Sequence, residues 1–140
     1  DHVEALPDVV AATGATTVAG AADADALPVR VDVRVDDGDS VAVGRCRLTV
    51  IHLTGHTPGS IALRYDDPSG HPHLFSGDSL FPGGPGRTTG IEDFLSLMSD
   101  LENKVFGMLP DDTWVYPGHG DDTVLGVERP HLPEWRARGW

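Results

Sequence analysis

The chain has 140 residues, 39% of them hydrophobic, and 10 Lys and Arg stand against 22 Asp and Glu for a formal net charge of −12. That is enough apolar material for one domain with a buried core, and so acidic a chain repels rather than attracts a nucleic-acid backbone. Cys46 is the only cysteine, which excludes an internal disulfide or a thiolate zinc cluster. It fits a reducing compartment, and we expect it to be a small core residue.

The predicted elements follow in order. After a turn at His2, residues up to Gly14 have helical composition, with Pro7 in the first turn and glycine as the stop. Thr16–Ala19 reads as a short strand and Gly20–Leu27 as a loop or single turn. From Val29 the period becomes two: Val29, Val31, Val33 and Val35 alternate with Arg30, Asp32, Arg34 and Asp36, which predicts a strand with one buried face. Asp37-Gly38-Asp39 is a turn. Val41–Val43 and Arg45–His52 read as two strands or as one bent at Gly44, and Ser60–Tyr65 as another, a meander feeding a sheet.

Leu74–Gly77 is a short strand that delivers Asp78, and the loop Phe81–Arg87 carries too much glycine and proline for a helix or central strand. Ile91–Leu109 is the clearest helix. Ile91, Phe94, Leu95, Met98, Leu101, Val105, Phe106 and Leu109 form its apolar stripe, and Glu92 and Asp93 favour its N-terminal end. Thr113–Tyr116 is a last strand, after which Pro130 and Pro133 are expected to break up the tail. No repeat is visible, and no apolar run approaches the about 20 residues of a membrane span. No signal peptide is visible either, so a cytoplasmic protein with no membrane partner is expected.

Three predicted strands end in turns that pair glycine with a potential metal ligand: Gly55-His56, Gly77-Asp78 and Gly118-His119. Glycine lets a backbone bend tightly there and aim each side chain at one point. Imidazole nitrogen and carboxylate oxygen are the donors that zinc and similar ions take, and catalytic sites leave a position open for water. Asp1 and His2 add a further carboxylate and imidazole. Other nucleophile arrangements fail: no serine sits in a G-x-S-x-G elbow, and the Gly83–Thr88 loop lacks the lysine of a phosphate-binding loop.

Thr54-Gly55-His56-Thr57-Pro58-Gly59, Ser76-Gly77-Asp78 and Tyr116-Pro117-Gly118-His119-Gly120, in that order at separations of roughly 22 and 41 residues, resemble the metal-site motifs of the metallo-β-lactamase-fold hydrolases. The likeness spans nearly the whole chain and is closest to the glyoxalase II-like branch of small bacterial hydrolases. It implies an α/β fold, the four-layer αββα sandwich of that family. Family members open the site with H-x-H-x-D-H, of which only Asp1-His2 stands here, and the chain starts without Met. The expectation is therefore the C-terminal major part of a single domain, residues 1–140. A chain lacking the preceding strands is expected to aggregate or to need a partner.

The resemblance implies two divalent ions, zinc first and iron or manganese as alternatives. The H-x-H pair and the position of His56 hold one; Asp1, His2 and His119 hold the second; Asp78 bridges them. Asp78 and Asp1 are the catalytic carboxylates it implies, and the reaction is hydrolysis of an ester, thioester or lactone by a metal-bridging hydroxide. Arg87 is the candidate contact to a small-molecule substrate, and Thr57 and Ser79 are candidates for orienting ligands. His52, His71, His73 and His131 match no ligand position, with His71 and His73 the candidates for stray metal binding. Thr54 stands where many relatives have proline, and the chain ends without the helical domain that binds glutathione in glyoxalase II, so a glutathione thioester is not the expected substrate. The alternatives are a mononuclear iron enzyme like the persulfide dioxygenases of this fold, and a non-catalytic binding domain.

Overall fold

A computed structural model describes residues 2–139 of the protein. Helix α1 (Leu6–Thr13) takes Pro7 in its first turn, where no amide partner is lost, and ends on Gly14 at φ 62°. Strand β1 (Val18–Gly20) pairs in parallel with β2 (Val33–Val35) as a separate two-stranded sheet. The expected strand from Val29 is shorter than its alternation predicts. Thr17 and Asp32 bond each other through backbone and side chain and Thr17 Oγ1 donates to Arg30 O, so side-chain bonds replace a ladder before Val33. Only Val35 of the four valines is buried.

Among the described residues the main sheet has six strands. Strands β3 (Ser40–Val43), β4 (Cys46–His52), β5 (Ile61–Asp66) and β6 (Pro72–Gly77) form the antiparallel meander. Gly44, at φ 59°, opens the two-residue turn between β3 and β4 and resolves that region into two strands. A minimal hairpin, β7 (Leu80–Phe81) and β8 (Gly84–Pro85), occupies the predicted loop. Strand β9 (Trp114–Pro117) then pairs in parallel with β6, and β10 (Thr123–Val124) closes the edge on β9.

Helix α2 (Ile91–Asp100) continues into a π-helical segment, Leu101–Phe106, short of the expected end at Leu109. Its buried stripe is Phe94, Leu97, Met98, Leu101, Val105 and Phe106, which packs on Ile51, Ala62, Leu74 and Val115 of the sheet. Ile91 and Leu95, expected in that stripe, are exposed. Both lie to one side of a stripe centred on Phe94, Leu97, Met98 and Leu101, at the margin of the face that meets the sheet. The tail is not broken up. Pro130 and Pro133 sit in the first turns of a 3₁₀ turn and of helix α4 (Leu132–Arg138), following α3 (Leu125–Glu128). Proline starts helices as readily as it stops them, and here Pro133 opens the helix that carries Trp135 into the core.

Cys46 is exposed rather than buried. It begins β4 opposite Val43, which is 61% exposed beside the turn of the hairpin. The sheet face opposite α2 carries a ladder of rings: Tyr65, His73, Trp114, Phe75 and Tyr116 stack across β5, β6 and β9.

Candidate metal centre

The site lies where β6 and β9 end together. Their parallel register places Gly77 opposite Pro117, so the turns that follow are adjacent although distant in sequence. A register irregularity between Phe75 and Gly77, with Gly77 at φ 52°, redirects the chain just before Asp78, as bulges do beside functional groups. Gly118 N donates to Gly77 O at 2.9 Å. A side chain on Gly118 would place its Cβ 2.2 Å from Asp78 Oδ1, and one on Gly86 would fall 1.7 Å from Asp78 O. Both glycines are thus required by the aspartate they surround.

Three imidazoles converge on one carboxylate oxygen. His2 Nε2 lies 3.1 Å from Asp78 Oδ2, His119 Nε2 3.5 Å and His56 Nε2 3.6 Å. His56 Nδ1 is 2.8 Å from Arg87 O; a carbonyl only accepts, so Nδ1 carries the proton and Nε2 presents its lone pair toward Asp78. His2 and His119 stack with ring centroids 5.6 Å apart, and the Phe81 ring lies 4.7 Å from that of His119. His2, Asp78 and His119 offer ligand atoms mutually within 4.8 Å, and His56 stands outside that triplet. Asp1 lies outside the described residues.

This donor set fits a metal ion. Ligands at 2.0–2.1 Å on a tetrahedral ion stand about 3.3–3.4 Å from each other, the range that the nitrogen-to-carboxylate distances bracket. The side chain of Asp78 is 15% exposed and that of His119 61%, so the candidate donors are anchored from below and open to solvent above. The cleft they line, about 360 Å³, is completed by Phe81 and Arg87. Arg87 also lines an adjoining cavity of about 490 Å³ with Thr88, Thr89, Phe94 and Arg138.

Thr57 and Ser79 do not bond a ligand. Thr57 Oγ1 meets Asp23 and Ser60, and the buried Ser79 hydroxyl has no hydrogen-bond partner among the described residues. His52 donates to Pro58 O, and His71 and His73 lie near the start of β6, His73 bonded to Tyr116. His131 lies on the tail beside Glu134. Sequence reasoning missed Asp23 and Arg138, whose positions only the folded chain reveals.

Residues 1–120 match the sequence model of the Metallo-beta-lactamase superfamily. The chain belongs to that superfamily. It is 38% identical over 122 residues to a hydroxyacylglutathione hydrolase of Fuscovulum blasticum, covering 85% of this chain and 44% of the relative. The chain therefore spans about half the length or less of such curated relatives. Among solved structures, ETHE1 from Myxococcus xanthus superposes with a TM-score of 0.80 at 32% identity, covering 98% of this chain and 59% of that one. TTHA1623, solved in a di-iron-bound form, gives 0.70 at 31% identity, covering 92% and 69%. These likenesses establish the metallo-β-lactamase fold expected from the motifs.

Proposed function

We propose that this chain contributes most of the metal centre of a metal-dependent hydrolase that cleaves thioesters. The observation that carries the reading is the convergence of His2, His56 and His119 on Asp78 Oδ2, each at the distance that two ligands sharing an ion keep from one another. His2 and His119 would hold one ion with Asp1, His56 would serve the other, and Asp78 would be shared. The separation of His56 from the compact triplet supports that division. Bound divalent ions would supply Lewis acidity and water activation at neutral pH; zinc is the proposed metal.

The protein's own groups do the rest. Asp78 is held between Gly118 and Gly86, whose backbones leave its carboxylate no room to swing toward them. The Arg87 backbone carbonyl fixes the His56 tautomer, and the residue lines both cavities. Among the described residues neither Arg87 nor Arg138 has a carboxylate partner, in a chain of net charge −12. That suits a substrate with an anionic group beyond the scissile bond. The named activity of the hydroxyacylglutathione hydrolases supports a thioester; glutathione itself does not follow from a match to under half their length.

The test is metal content per chain, by elemental analysis, together with a panel of acyl thioesters, esters and lactones, on protein produced from its full coding sequence. Two zinc ions and a preference for thioesters are expected. A single iron without hydrolysis would replace this reading by the mononuclear oxygenase, and no metal by the non-catalytic domain.

A further inference from the structure

His56 sits on the loop between β4 and β5, which is fastened at its far side by a residue from none of the motif turns. Asp23, on the turn after β1, accepts from Gly59 N at 2.7 Å through Oδ1 and from Thr57 Oγ1 at 2.5 Å through Oδ2. The backbones there are in contact. A Cβ on Gly59 would lie 2.5 Å from Asp23 N, and one on Gly20 would lie 2.0 Å from Gly59 O. Within the loop Thr57 N donates to Ser60 Oγ, and Thr57 Oγ1 and Ser60 Oγ are 2.6 Å apart. Only a carboxylate offers two acceptor oxygens to two donors in this way. The small sheet formed by β1 and β2 thus grips the histidine loop on one side, while Arg87 O holds the ring on the other.

We propose that Asp23 is a positioning residue of the metal centre, clamping the 54–60 loop so that His56 Nε2 is held at its place beside Asp78. This rests on the metal reading above. Outer groups that orient a metal-binding histidine matter to affinity by about 10–100-fold, and Asp23 acts one link further out, through the loop backbone and Thr57.

The experiment is zinc binding and cobalt(II) absorption spectra on the full-coding-sequence protein and its Asp23→Asn, Asp23→Ala, Thr57→Val, Thr57→Ser and His56→Ala variants, with melting of each metal-free protein as a control. Asp23→Ala and Thr57→Val are expected to weaken one ion by about 10-fold or more and to change its cobalt spectrum, with the second ion unaffected. Asp23→Asn is expected to fall between, and Thr57→Ser to bind like the parent. Wild-type affinity and spectrum in Asp23→Asn and Thr57→Val, with His56→Ala impaired, would overturn the clamp. Unchanged binding in His56→Ala would overturn the metal reading itself. Should Asp23→Ala fail to fold, Asp23→Asn and Thr57→Val carry the comparison.

Discussion

The proposed ligands come from two unlike supports. His56, Asp78 and His119 leave the main sheet through turns whose glycines touch neighbouring atoms: Gly55 lies against Asp93 O and Leu97, and Gly118 against the Asp78 carboxylate. His2 precedes α1, a helix with no buried residue, and its side chain is 52% exposed. A site built this way has a framework that sets geometry and an arm that adds affinity. Damage to the framework should move every ligand, whereas damage to the arm should remove only one.

The comparison can be broken most severely at Gly118. Gly118→Ala puts a methyl carbon into the Asp78 carboxylate, and a displacement of an ångström at reacting groups costs about 100-fold in rate; steady-state turnover and bound metal per chain should both collapse. Zinc added to the chelated parent at about 100 times its dissociation constant should stabilise the fold by about 2.7 kcal/mol, roughly 10 °C in melting temperature. In Gly118→Ala that thermal shift should vanish; its persistence would show that the carboxylate tolerates the methyl.

Gly55→Ala separates stability from chemistry. The new Cβ would meet Asp93 O at 2.5 Å and Leu97 Cβ at 2.6 Å, at φ 151°, an overpacking worth about 1–3 kcal/mol, read as a fall in urea midpoint of the metal-free protein. His2→Ala should leave that midpoint unchanged and weaken zinc by about 10-fold, measured by competition with a chelator. Equal losses of fold stability in the two variants would erase the distinction between framework and arm. Val9→Lys, on the 52% exposed face of α1, should change stability by less than about 0.5 kcal/mol, the smallest effect of the set.

The convergence of His56, Asp78 and His119 was the legible part of the sequence because each follows a strand and a glycine within a few residues. Hydrophobic period found the meander and α2, and resemblance supplied the roles. What escaped was set by tertiary context. Leu97 is buried and Leu95 exposed because the sheet meets a stripe centred on Phe94, Leu97, Met98 and Leu101, and no local pattern announces the π turn after Asp100. Pro130 and Pro133 carry the same signal whether they break a chain or begin a helix. The valines from Val29 alternate well, but the strand stops where Thr17 and Asp32 bond instead. Asp23 lies in an Ala/Asp-rich stretch that reads as solvated loop; its partners Thr57 and Gly59 are more than thirty positions away.

The parallel pairing of β6 and β9 also has a kinetic consequence. Strands β3 to β6 join neighbours in sequence through short turns, whereas β9 must return across the whole α2 crossover to meet β6. Contacts of long sequence separation carry the larger loop-closure cost and form late. A chain emerging from the ribosome is therefore expected to complete its meander first and to bring Asp78 and His119 together only at the end, so that capture of an ion marks the close of folding rather than its start.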